Sequence, residues 1–193
     1  MENLDWFNKI AKDHQDFIDS EKKAEFHITD QFQNLNIETL HFIFELLQNA
    51  DDQNAKKGTF IFSDNHIKFF HNGNKFNKSD VKGICSFAAH GLKRGDNQKI
   101  GKFGLGFKSV LQFTDEPKVF SYINNSPFHF AIKDKCVPHI IDDPKHEIID
   151  EVDKYGGTGF IFELKEESKE IINSKLDEFI ERYSSQILIF LQN

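Results

Sequence analysis

Phe44-Glu-Leu-Leu-Gln-Asn-Ala-Asp-Asp52 decides how this chain is read. It lies within Asn36 to Lys57, where the spacing of apolar residues predicts a helix. At about 100° per residue, Glu45, Asn49 and Asp52 fall within an arc of roughly 60°. A carboxylate, an amide and a second carboxylate therefore point the same way from a mostly apolar segment. Burying such a stripe is costly unless something satisfies it. A bound ligand with its metal and waters would do so.

Further along stands Gly101-Lys-Phe-Gly-Leu-Gly-Phe-Lys-Ser109. Glycines allow close backbone approach, and a helix entered directly from them offers unpaired N–H groups to an anion. A helix is predicted from Leu105 to Phe113. The run lacks the Gly-Lys-Ser/Thr order of the P-loop, and no strand precedes it in Rossmann fashion. Lys102 and Lys108 either contact phosphates or are surface lysines. Taken with the polar stripe, the run describes a pocket for a nucleoside triphosphate and its metal. In that pocket Glu45 would act as a general base on a water, Asn49 would supply an oxygen to Mg²⁺, and Asp52 would support them. Each residue alone is equally an ordinary helix-surface side chain.

The rest of the chain frames this pair. Leu4 to about Phe26 reads as an amphipathic helix. Thr59–Ser63 and His66–Phe70 read as strands across an Asp64-Asn65 turn. His71-Asn-Gly73 follows the second strand and either lines a base slot or is a plain turn. Asn77-Lys-Ser-Asp80 has the form of a capping box. From about Ala88 to Lys99 the chain is polar, with no periodicity, and reads as a long functional loop carrying His90, Lys93 and Arg94. Lys118–Ile123 and Phe128–Lys133 form an expected hairpin. Gly159–Lys165 is an expected strand, preceded by Thr158, and Ser168 to about Ile187 an expected helix. The apolar ending Ile187-Leu-Ile-Phe-Leu191 suggests a piece of a longer protein.

The 193 residues suffice for one domain with a real core. Twenty-two Phe against one Trp read as core filling. A net charge of −7 argues against broad nucleic-acid binding. Cys85 and Cys136 are too few for a disulfide framework, so a reduced cytoplasmic setting is expected. No apolar run reaches membrane-spanning length, and the nine His show no zinc spacing.

The order of these motifs resembles the GHKL ATPases, which include gyrase, the ninety-kilodalton heat-shock chaperone, histidine kinases and MutL. It is most similar to the chaperone and to sacsin-type ATP-binding domains, over roughly residues 30 to 190. The resemblance implies an α/β, two-layer sandwich of the Bergerat type, with a mixed, mostly antiparallel sheet and helices on one face. Residues 1–30 would be a helical extension and 31–193 the ATP-binding domain. Phe44–Asp52 matches the first box of the family, which implies Glu45 as catalytic base and Asn49 as Mg²⁺ ligand. Asp52 and Lys56 then complete the pocket.

Asn72, Gly73 and Phe76 fall in the adenine box. Ile100–Val110 looks like the glycine box, with Lys102, Phe103, Gly104, Leu105, Gly106, Phe107 and Lys108 around the phosphates. Residues 86 to 102 would act as an ATP lid. Gly157-Thr158-Gly159 resembles the last box, with Thr158 as a base-contacting hydroxyl. One departure stands out: His71 occupies the place of the family's adenine-binding Asp. A neutral His can accept with one ring nitrogen, or Asn72 can do so through its carbonyl.

The implied cofactors are ATP and Mg²⁺. The implied activity is slow ATP hydrolysis that drives a conformational switch of a chaperone or sacsin kind. Its partners would be further domains of the same polypeptide, an ATP-dependent second copy, and protein clients. The alternatives are a nucleotide-sensing module of a defence or nucleic-acid-processing protein, and an interaction scaffold without turnover.

Overall fold

The computed structural model describes residues 4–24, 40–86 and 105–190. Helix α1 runs from Asp5 to Lys23 and α2 from His41 to Asp52. Strands β1 (Gly58–Phe62) and β2 (His66–His71) precede α3 (Lys78–Cys85). The short α4 (Leu105–Lys108) runs into a 3₁₀ turn at Ser109–Gln112. Then come β3 (Lys118–Ile123), β4 (Ser126–Lys133), β5 (Val137–Ile140), α5 (His146–Tyr155), β6 (Thr158–Glu163) and α6 (Glu166–Phe190).

The six strands form one sheet in the order β1-β2-β6-β3-β4-β5, and every pairing is antiparallel. The expected α/β sandwich is therefore present. One sheet face carries Ile67, Phe69, Phe160, Phe162, Val119, Phe130 and Ile132. It packs with Phe42, Ile43 and Leu46 of α2, Val81 and Ile84 of α3, and Phe107. The abundant Phe side chains join these layers through edge and tilted ring contacts, such as Phe42–Phe113 at 4.5 Å.

The second sheet face is also partly covered. Phe70, Phe120 and Ile161 lie against Val152 of α5, and Tyr155 stacks on Phe70 at 5.1 Å. Successive strand residues point to opposite faces, so the fully buried pair Phe69-Phe70 is explained by helices on both sides of β2. Strand β5 and helix α5 are not among the elements expected from the sequence. Ile148, Ile149, Val152 and Tyr155 nonetheless carry a helical spacing. Pro138 disguised β5, which is an edge strand where proline is tolerated.

Local chemistry sets several boundaries. The capping box of α3 is complete: Asn77 Oδ1 accepts from Ser79 N and Asp80 N, and Asp80 Oδ2 accepts from Asn77 N. Asn124 and Asn125 both adopt positive φ, 51° and 63°, giving a two-residue hairpin tighter than the sequence suggested. Helix α2 ends at Asp52 rather than Lys57. Asn54 turns left-handed at φ 60°, and the N–H groups of Lys56 and Lys57 instead donate to Asn72 Oδ1, both at 2.8 Å. The predicted single helix over 105–113 tightens after Lys108, where Ser109 Oγ donates to the Gly106 carbonyl at 2.6 Å.

Candidate functional site

Glu45 sits on α2 with its carboxylate half-exposed. Oε1 meets His41 Nε2 at 3.0 Å, one helical turn earlier. Its other face abuts the start of α4: a Cβ placed on Gly106 would fall on Oε2 and lie 2.7 Å from Cδ. Only glycine permits this approach. The two sequence motifs therefore meet in space.

Asn49 lies one turn beyond Glu45 and is 8% exposed. Its side-chain amide makes no hydrogen bond to another described residue. Its amide oxygen is a hard donor of the kind Mg²⁺ takes beside water and phosphate oxygens. Asp52 is half-buried and Lys56 exposed on the loop leaving the helix.

Three turns converge at one end of the sheet. Asn72 fastens the loop after α2 to the end of β2. Gly73 crosses that loop so closely that a Cβ would lie 2.7 Å from the Gln53 carbonyl oxygen. Gly156, at φ 132°, passes Asn72 with space for no side chain. Half-buried Asp80 receives a hydrogen bond from Gln53, and burial raises its carboxyl above the ordinary range.

His71 pairs across the ladder with Thr158. Its ring lies near Phe69 and Phe160, and the residue is 2% exposed. Nδ1 accepts from Gly73 N at 3.1 Å. Burial, aided by the Lys75 ammonium, pushes its pKa down to about 4. Thr158 is fully buried and its Oγ1 pairs with Ser121 Oγ at 3.0 Å. Ser121 Oγ in turn accepts from Phe76 N. Phe76 itself is core, edge-on to Phe130 and Phe160.

A family description, the sacsin domain, matches residues 26–186. The chain belongs to the sacsin domain family. Protein NO VEIN of Arabidopsis thaliana is 33% identical over 123 residues, 60% of this chain and 4% of that protein. Sacsin of Homo sapiens is 36% identical over 124 residues, 50% of this chain and 3% of that protein. The chain thus spans a few per cent of the length of these relatives.

Within this sacsin domain, Lys108 is not a surface lysine. It is buried, and Nζ donates to the Lys135 carbonyl at 2.8 Å, in the β4–β5 junction. Burial lowers its pKa to about 8, while the thiols of Cys85 and Cys136 are pushed up to about 12, again chiefly by burial. Phe107 is core, touching Phe160 and Phe162. Leu105 opens α4. Gly101, Lys102, Phe103 and Gly104, the loop with His90, Lys93 and Arg94, and most of the expected lid lie outside the described residues.

Sequence reading missed two partners. His41 was findable, because a polar residue four before Glu45 lies on the same helix face. Ser121 had no local signal, since only sheet pairing brings it to Thr158. Among the described residues, no helix is long and apolar enough to cross a membrane.

Proposed function

We propose that this sacsin domain is a GHKL-type nucleotide pocket that binds Mg²⁺·ATP and hydrolyses it slowly to ADP and phosphate. The observation that carries this reading is the contact of the Glu45 carboxylate with the Gly106 backbone. It joins a carboxylate on a polar helix stripe to a glycine segment that enters a helix. Asn49, on the same stripe and 8% exposed, adds an amide oxygen as a ligand position.

Asn49 would hold Mg²⁺ through its side-chain oxygen, and the ion would neutralise phosphate charge. Glu45 takes a proton from water as the water oxygen bonds to the γ-phosphorus. The bond from that phosphorus to the β,γ-bridging oxygen breaks, and ADP leaves with the electron pair. His41 holds Oε1 and so fixes which way the carboxylate faces. Gly106 leaves room for Oε2. Residues 86 to 102 would close over the nucleotide as a lid. In the longer protein, closure would act on further domains, a second copy or protein clients.

Titration calorimetry with Mg²⁺·ATP and ADP tests the reading, with Asn49→Ala as control. Magnesium-dependent binding that disappears in Asn49→Ala supports it. Absence of binding at millimolar nucleotide, in a chain shown folded by circular dichroism, would leave the scaffold alternative. Glu45→Gln then separates turnover from binding: it should bind nucleotide and release no phosphate.

A further inference from the structure

The two margins of the sheet are built differently. Strand β5 closes one margin and is guarded. Pro138 carries no N–H, and Ile18 of α1 packs in one cluster with the neighbouring Val137. Strand β1 ends the other margin, and its sequence Gly58-Thr-Phe-Ile-Phe62 holds no proline and no charge. All of its residues are half-buried, and among the described residues no strand lies beyond it. Such an edge is a template for another strand.

The ladder fixes which backbone groups β1 turns outward. Antiparallel partners alternate between pairs that exchange hydrogen bonds and pairs that do not. Ser63 N donates to the His66 carbonyl, and Asn72 N donates to the Lys57 carbonyl, at the two ends of the β1–β2 register. Lys57, Thr59, Ile61 and Ser63 therefore bond to the β2 side. Gly58, Phe60 and Phe62 turn their N–H and C=O groups the other way, toward the open margin.

A second copy of this strand fits that margin. Set antiparallel about Phe60, the two strands pair Phe60 with Phe60, Gly58 with Phe62 and Thr59 with Ile61. The outward groups of Gly58, Phe60 and Phe62 then exchange hydrogen bonds in every such pair. Phe62 lies across from Gly58 of the second copy, which has no side chain to compete with its ring. Exposed Lys56 and Lys57 precede the strand, and exposed Asp64 follows it. The same register sets Lys56 opposite Asp64 of the second copy, so opposite charges meet at both ends. We infer that the β1 edge is a self-docking surface, through which two copies of this chain join their sheets into one continuous antiparallel sheet. The joining needs no nucleotide and stands apart from the pocket reading above.

Sedimentation velocity of the full chain without nucleotide tests it. A short edge makes a small interface, so dimers should form with a dissociation constant on the order of 100 µM. Amide hydrogen exchange read by ¹⁵N–¹H spectra reports the register. The Gly58, Phe60 and Phe62 amides should gain protection as the chain is concentrated, whereas those of Thr59 and Ile61, already bonded to β2, should stay as they are. Asp64→Lys sets like charges against each other at both ends and should weaken association at least about fivefold. Adding Lys56→Asp to it should restore association. A chain that stays monomeric at about 1 mM overturns the inference. So does a dimer whose Gly58, Phe60 and Phe62 amides exchange as fast as in the monomer, or one that Asp64→Lys leaves unchanged.

Discussion

The carboxylate of Glu45 and the α-carbon of Gly106 are in such close contact that no side chain fits between them. The carboxylate is clamped on its other side by His41 at 3.0 Å. Gly106→Ala therefore forces Glu45 to rotate off His41. The colliding atoms are the end of a flexible side chain, and alanine favours a helix over glycine by up to about 1 kcal/mol. The fold should tolerate the change, with a melting shift of a few degrees at most. Phosphate release from Mg²⁺·nucleotide by the longer protein should fall at least about tenfold, whereas nucleotide affinity should change little. Unaltered turnover in a folded Gly106→Ala protein would refute a role for this contact.

Gly156 gives the opposite outcome. It adopts φ 132°, and an added Cβ would lie 2.5 Å from Asn72 Cα and 2.7 Å from Asn72 N. Both obstacles are backbone, so neither can swing aside. Gly156→Ala should cost on the order of 2–4 kcal/mol in urea denaturation, combining strain with displacement of the β2 turn. Gly157→Ala meets only the Lys75 amine, a flexible chain end, and should cost less despite its φ of 84°. Equal losses for the two variants would contradict the packing described here.

Acid should loosen the chain through His71. The unfolded ring takes up a proton near its ordinary pKa of 6.5, and the folded ring only near about 4. Above pH 6.5 both states are neutral at this site and its contribution is complete. As pH falls from 6.5 to 4 the unfolded state binds more protons, and stability is lost, by on the order of 3 kcal/mol at most. His66 and His129, also lowered mainly by burial, act in the same direction. Denaturation curves from pH 7 to 4 should show a shallower loss in His71→Asn than in the parent chain.

Lys108 predicts a stability maximum in mild alkali. Its folded pKa is about 8 against an ordinary 10.5, so below pH 8 the cost of holding a buried ammonium is fully present. Stability then rises with pH as the folded amine releases its proton first. From pH 9 the unfolded thiols of Cys85 and Cys136 begin to ionise, while the folded ones hold their protons to about 12, and stability turns down. The maximum should fall near pH 9. Lys108→Met should remove the rise between pH 8 and 9 and leave the decline above it. A monotonic fall from pH 7 in the parent chain would show that the amine is not buried as described.

Residues whose meaning is local were legible before any coordinates. The α3 capping box followed from Asn77 and Asp80, and the β1–β2 hairpin from two short runs around Asp64-Asn65. The stripe of Glu45, Asn49 and Asp52 followed from helical periodicity alone. The second helical layer was not recognised, because Pro138 interrupts β5 and α5 is short and acidic. Its helical spacing through Ile148, Ile149, Val152 and Tyr155 was nevertheless present.

The sequence by itself determined the helix that carries the polar stripe and most of the strands, since periodicity, capping and turn chemistry act between residues a few positions apart. Tertiary structure alone decided where those side chains point and what they meet. Lys108 reads as a phosphate or surface lysine until folding buries it against the Lys135 carbonyl. His71 reads as an acceptor until Gly73 N–H occupies Nδ1 and leaves only a donor. Thr158 finds Ser121 only because β6 lies beside β3 in the sheet. Long-range contacts of this kind depend on burial and strand order, which no short window of sequence contains.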